Sequence, residues 1–337
     1  MLDVVSLTVE LMRVDSTSGR EGALVARVHE LLESTGWQVR RIPVSDGRED
    51  VLATRGEGPY VTLSTHLDTV PPYIPPRVEG ARIWGRGACD ANGIAASMIC
   101  AAERLAERGV PVALLFVVGE EVTHDGAHAA NAWAARNGLH SRALIDGEPT
   151  QSTLALGTKG AMRVTLRVRG VAAHSAYPHL GRSATRELVR ILAALDDVEM
   201  PRDDVLGDTT INIGMISGGV ADNVIAPSAE ARLMARTVGD PEEVLERLRR
   251  LVGTRGELEQ GITAPAVRLG VVAGYPTSVV AYATDIPALS NWGTPYLFGP
   301  GSIHVAHRDD EHVEIEELRA AVETYERLVR DLARTSG

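Results

Sequence analysis

The sequence predicts an α/β fold built on a mixed, largely parallel sheet, with a smaller α+β domain inserted into it. Three observations lead there. Up to about residue 150, short apolar runs alternate with segments of helical period, the pattern of strands joined by crossover helices. Near residue 160 the style changes: AMRVTLRVRG (161–170) alternates apolar and basic residues, as a half-exposed strand does. After about residue 270 the first style returns. The 337 residues suit about two domains, read here as one α/β domain in two pieces, 1–159 and 270–337, and a second domain at 160–269.

Residues 4–13 read as a short helix. Ser18-Gly19-Arg20-Glu21 has capping-box spacing. Leu24, Val25, Val28, Leu31 and Leu32 follow at helical period, and Gly36 is a plausible stop. Strands are predicted at 37–42, 51–54 and 60–65, the last running into His66. A helix at 94–108 follows Asp90; then come a strand at 112–118, a helix at 127–136 and a strand at 142–145 that leads into Glu148. In the insert, a helix at 184–195, strands at 210–216 and 230–238 and a helix at 241–252 complete a β-α-β-β-α run, with Pro241 well placed at a helix start. A helix near 285–289, a strand at 295–298, the loop of His307 and a final helix at 315–332 close the chain.

Composition narrows the function. The net charge of −11 argues against nucleic acid, which needs a basic surface. Cys89 and Cys100 match no zinc or redox spacing and are too few for a disulfide scaffold, which fits a reduced setting. The first residues carry Asp3 and Glu10 inside their apolar stretch, unlike a signal peptide, and no apolar run reaches the ~18 residues of a membrane span. A cytoplasmic protein is expected.

The chemistry gathers in His66-Leu67-Asp68, in GRGACDANG around Asp90, in Gly119-Glu120-Glu121, in IDGEPT around Glu148, and in GPGSIHVAHRDDE around His307. The early four fall at or just beyond strand ends, where open α/β sheets place their sites. Oxygen and imidazole donors without thiolate suit a catalytic zinc pair or related first-row metals. Two cations ~3.5–4 Å apart need a ligand that touches both, which a carboxylate can do and imidazole cannot. Asp90 is read as that bridge, with His66 and Glu148 serving one metal and Glu121 and His307 the other. Asp68 is expected to accept the second N–H of His66. Glu120 is left as general base, taking a proton from metal-held water that attacks an amide carbonyl and passing it to the leaving amine. His304 is the weaker alternative to His307. His124, His128 and His179 read as surface or loop groups, Asp309 and Asp310 as solvated, Cys89 as small and buried, and Asp146 as an outer partner of the metal site.

These motifs, STHLDTVPP (64–72), GRGACDANG (85–93), GEE (119–121), GEPT (147–150) and GPG…AH…DE (299–311), resemble in order and spacing the M20 metallopeptidase family, which includes acetylornithine deacetylase and succinyl-diaminopimelate desuccinylase. The resemblance implies a two-zinc hydrolase, with cobalt a possible substitute, whose insert is a lid and dimerisation domain. It also implies roles for lid residues: His174 as oxyanion donor from its own or a partner subunit, Asn223 and Arg236 on substrate, with Tyr177 and Lys159 beside them. Lys159 stands where desuccinylase-type relatives often carry Arg, and Asn92 where Lys is common. The expected reaction is deacylation of an N-acyl amino acid of the acetylornithine type. A di- or tripeptidase or carboxypeptidase is the enzymatic alternative, and a metal- or amino-acid-binding sensor the non-enzymatic one.

Overall fold

The computed structural model describes residues 2–45 and 47–334. The chain divides into two compact units. One takes the chain up to Leu156, Leu269–Ser278 and the chain from Thr284 onward; the other is Gly157–Arg268 with Val279–Ala283. The boundaries thus differ by a few residues from those read in the sequence. Residues 157–159 go with the insert because Lys159 donates its backbone N–H to Val280 O (3.1 Å), in the short segment that returns to it.

In chain order the main elements of the first piece are α1 Val4–Met12, α2 Gly22–Ser34, β1 Gln38–Ser45, β2 Arg48–Arg55, β3 Tyr60–His66, α3 Asn92–Glu107, β4 Val112–Val117, α4 Asp125–Asn137 and β5 Ser141–Asp146. The insert holds β6 Gly160–Arg169, α5 Ala184–Ala193, β7 Thr210–Gly218, β8 Ser228–Thr237, α6 Pro241–Val252 and β9 Glu257–Ala264. The last piece adds β10 Thr294–Leu297 and α7 Ile315–Arg334.

The large unit is a six-stranded sheet in the order β1-β2-β4-β3-β5-β10. β4, β3, β5 and β10 run parallel, while β2 pairs antiparallel with β4 and with β1. Every residue of β4, VALLFV, is buried, as a strand covered on both faces must be. Each of its Val, Leu and Phe side chains contributes about 1.5–3 kcal/mol relative to exposure. α3 packs between this sheet and the α1 and α7 helices, so nearly all of its faces are apolar or small, with Ile94, Met98, Ile99, Ala102 and Leu105 buried.

Two local readings are corrected here. Ser18 does not cap α2; Glu21 is the N-cap residue, without a side-chain cap bond, and its carboxylate meets Arg48 instead (Nη2 to Oε1, 3.0 Å). The helix predicted near 285–289 is only a 3₁₀ turn, Ile286–Ala288, with Pro287 inside it.

The insert is a four-stranded antiparallel sheet, β7-β8-β6-β9. α5 lies on β8 and β6 and α6 on β9. Met162, Val164, Leu166 and Val168 point to that side and are buried; Arg163, Arg167 and Arg169 point to the open side. The sequence run therefore lacked one strand. β9 (ELEQGITA) is an edge strand with mostly exposed residues, so it shows no apolar alternation to read. The opposite edge, β7, is also exposed along most of its length, and there Ile213, Met215 and Ile216 lie open. Among the described residues no helix is long and apolar enough to cross a membrane.

Candidate metal centre

The cluster forms in the large unit beyond the ends of β3, β4, β5 and β10. β3 ends on His66, and β4 on Val117, three residues before Glu120. Between them Gly119 takes φ +78°, a left-handed turn that glycine makes at little cost, and the chain reverses so that Glu120 and Glu121 leave in different directions. β5 ends on Asp146, two residues before Glu148. His307 itself has φ +64°, uncommon for a residue with a side chain.

Asp90 lies at the centre. Its Oδ1 is 3.0 Å from His66 Nε2 and its Oδ2 is 3.2 Å from His307 Nε2. His66 Nε2 is 3.9 Å from Glu148 Oε1, and His307 Nε2 is 2.9 Å from Glu121 Oε1. One carboxylate thus faces two imidazoles through its two oxygens, and each imidazole has a further glutamate beside it. His66, Asp90 and Glu121 offer ligand-type atoms all within 4.8 Å of one another. His304 is exposed.

The electrostatics match that geometry. Burial pushes Glu120 and Glu148 well above the ordinary carboxylate range, outweighing the opposing charge of His66. Burial, with the charge of Asp285, pushes Asp146 up to about 8. Asp90 is also buried, yet the hydrogen bonds from His307 and His66 hold it below its usual value. Those to Asp90 and Glu121 push His307 up to about 10. Burial alone would lower His66; the Asp90 hydrogen bond and the charge of Glu148 reverse that and hold it well above its usual value. Buried carboxylates crowded so closely need positive charge among them. The donors are oxygen and imidazole nitrogen, so the residues fit a pair of divalent cations.

Asp68 does not play the part expected of it. The Nδ1–H of His66 donates to the backbone carbonyl of Asp68 at 2.9 Å, while the carboxylate Oδ1 lies at 3.7 Å. The carboxylate instead accepts the N–H groups of Glu120 (3.0 Å) and Glu121 (3.2 Å) and the Ser18 hydroxyl (2.9 Å). It fixes the glutamate turn, and the main chain fixes the imidazole.

Three supports were not read from the sequence. Glu311 is fully buried; its Oε1 accepts the N–H of Cys89 (3.2 Å) and of Asp90 (3.3 Å), and its Oε2 meets buried Arg86 at 2.6 Å. Asp50, also fully buried, accepts the Val118 N–H at 3.1 Å from behind the glutamate turn. Asp285, buried, holds His124 at 2.8 Å; His124 lies in a loop as it was read, but its ring is tied to a buried acid. Only the D-E at the end of the His307 motif hinted at Glu311. Charged side chains otherwise read as solvated.

The lid residues lie in the other unit. There Ser175 donates its N–H to Asn223 O (3.0 Å), and the His174 and Tyr177 rings are 6.2 Å apart, so these two segments share one loop region. His174 Nδ1 accepts the Ala176 N–H at 3.1 Å, which leaves the proton on Nε2. Lys159 Nζ donates to Asp208 O at 2.6 Å. Arg236 is half-buried on the open side of the sheet, and no acid pairs with it among the described residues. Burial and the nearby charge of Arg163 lower its pKa.

A family model for the peptidase dimerisation domain of M20 proteins matches residues 156–258. One for peptidase family M28 matches 51–153, the stretch holding His66, Asp90, Glu121 and Glu148. A peptidase M20 domain-containing protein of Schizosaccharomyces pombe is 37% identical, over 97% of this chain and 84% of its own. A probable carboxypeptidase of Paracoccidioides brasiliensis is 36% identical over the same shares.

The chain belongs to the M20 metallopeptidase family.

Two solved structures share the fold. The aminopeptidase PepT of Bacillus cereus superposes with a TM-score of 0.83 at 20% identity, covering 98% of each chain. A dinuclear metal-binding M20 peptidase of Bacillus subtilis gives 0.74 at 17%, covering 99% and 98%. As an M20 metallopeptidase the protein is a metal-dependent hydrolase of amide or peptide bonds.

Proposed function

We propose that the protein removes a terminal amino acid by hydrolysing the amide bond next to a free carboxylate, with two zinc ions in the Asp90 cluster. The observation that carries this is the split of Asp90, one oxygen toward His66 and one toward His307. His66 and Glu148 would hold one ion, Glu121 and His307 the other, and Asp90 both. When bound, the ions supply a Lewis acid for the scissile carbonyl and make the attacking water acidic.

The rest is the work of the chain. The carboxylates of Glu120 and Glu148 make no hydrogen bond among the described residues, whereas that of Glu121 meets His307; with Glu148 and Glu121 given to the ions, Glu120 is left as the base. It takes the proton of the attacking water and hands it to the leaving amine. Asp68 holds its backbone, and so its distance from the water. His174, with Nε2–H free, donates to the oxyanion that grows on the carbonyl, in its own subunit or a partner's. Arg236 supplies a planar guanidinium for the substrate carboxylate, and Asn223 and Tyr177 line the substrate. The Lys159 amine is occupied by a main-chain carbonyl, so its part in substrate binding is the smallest.

Peptides are the favoured substrates, since relatives sharing 36–37% of residues over nearly the whole chain include probable carboxypeptidases. N-acetylornithine-type deacylation, the first expectation from the sequence, breaks the same kind of bond and is the other arm of the test. The insert would pair two subunits through the apolar β7 edge into a homodimer. The test is hydrolysis of blocked dipeptides, free di- and tripeptides, N-acetylornithine and N-succinyl-diaminopimelate by zinc-loaded and chelator-stripped protein. Cleavage restored by zinc, strongest on peptides with a free C-terminus, is the expected result. Fastest turnover of an N-acyl amino acid would make the deacylase reading correct. Glu120→Gln should keep both ions and lose about 10²–10⁴ in kcat.

A further inference from the structure

His124 lies three residues past Glu121 and caps the N-terminal end of α4 with a left-handed backbone, φ +54°. A side chain in that conformation is uncommon and is kept where the surroundings require it. What surrounds it is Asp285, whose Oδ1 lies 2.8 Å from His124 Nδ1 and which is only 3% exposed. The same Nδ1 is 3.9 Å from Glu120 Oε1. Ligand-type atoms of Glu120, His124 and Asp285 all fall within 4.8 Å of one another.

Without this imidazole, Glu120 would face a second buried carboxylate. The Glu120 carboxylate makes no hydrogen bond among the described residues, and its contact with the His124 ring, 3.9 Å from Nδ1, is what stands between it and Asp285. The ring of His124 stands beside both carboxylates and is itself tied to Asp285, so it has little freedom. Asp285 raises the pKa of His124, which agrees with the ring serving as a positive partner.

We propose that His124, anchored by Asp285, is a positioning residue that holds the Glu120 carboxylate in its working place. This rests on the reading of Glu120 as general base. His124 does not touch substrate; it acts through Glu120. The pair joins two distant parts of the sequence, the loop after β4 and the segment before β10, so the base is set by both.

The test uses the full-length, metal-loaded protein. His124→Gly removes the ring and suits a positive φ. kcat should fall about 10- to 100-fold, as for other outer partners of a site, while KM stays within about two-fold, the signature of an interaction made in the transition state. Two ions per chain should remain, while the melting temperature falls because buried Asp285 loses its partner; the unchanged KM and ion content separate this from a loss of the site. His124→Asn tolerates the same backbone and puts an amide N–H toward Asp285; it should recover most of the loss. In a Glu120→Gln background the same His124→Gly change should cost nothing further, because residues acting through one another are not additive.

Wild-type kcat in His124→Gly would overturn the proposal, as would an equal loss in the Glu120→Gln background. A third bound ion that disappears with His124 would also overturn it, by making the cluster a metal site. Full activity in Glu120→Gln alone would instead remove the base assignment, a different failure read from a different variant.

Discussion

The two sheets of this chain are made for different neighbours. In the large unit β4 is buried at every residue and lies between β2 and β3. In the insert β7 is an edge, and Met215 and Ile216 are 60% and 59% exposed. The first sheet uses its apolar residues to hold still the loops at its end. The second covers one face with α5 and α6 and leaves the other face and the β7 edge open. Rigidity sits where metal ligands must converge, and exposed apolar surface where a second molecule can be met.

Breaking each sheet should therefore give opposite results. The largest effect is expected from Phe116→Ala in β4, which leaves a cavity in the core of the large unit and should cost about 3–5 kcal/mol. Calorimetry should show the transition of that unit move and its metal affinity fall. The insert has its own core, built on Met162, Leu166, Leu188, Ile191, Leu245 and Leu248, so its transition should shift little. A common shift of both would show that the two cores unfold as one.

A smaller effect comes from pH on the metal-free protein. Burial raises Asp146 to about 8 and raises Glu120 and Glu148 as well. These groups keep protons in the fold that the unfolded chain has released, so their contribution is complete below the ordinary carboxylate range and is lost as pH rises towards about 8. Thermal unfolding of the stripped protein should weaken from pH 5 to pH 8, and zinc should restore more at pH 8 than at pH 5. A stripped protein that gains stability over that interval would show these carboxyls to be ionised without metal.

Ser18→Ala removes one donor to Asp68 and should cost only about 0.5–1.5 kcal/mol, read as a modest fall in kcat. Least is expected for folding from Ile216→Lys on the β7 edge. An exposed change should stay within about 0.5 kcal/mol by denaturant unfolding, yet light scattering should show a monomer if that edge pairs subunits. A dimer that persists would place the interface elsewhere.

The sequence made the candidate ligands legible because each follows a strand end or a glycine turn within a short motif. His66, Asp90, Glu121, Glu148 and His307 all come together where that reading put them. What it could not show are the partners that hold those loops. Ser18 meets Asp68 across 50 positions, His124 meets Asp285 across 161, and Arg86 meets Glu311 across 225. Nothing in the local pattern of either member marks such a pair. The lost strand β9 has a related cause: an edge that faces solvent on most sides carries no period.

The place where the insert leaves its host has a consequence of its own. Leu269 donates its N–H to Leu156 O at 3.1 Å, so the host chain is already stitched shut across the gap through which 112 residues of the insert, Gly157 to Arg268, depart and return. Any cassette whose own ends lie side by side could be spliced there without stretching the host, which is where domain insertion is tolerated. The M28 model, which ends at residue 153, stops just short of that seam. The fold of the host can thus close on itself whatever sits between Leu156 and Leu269.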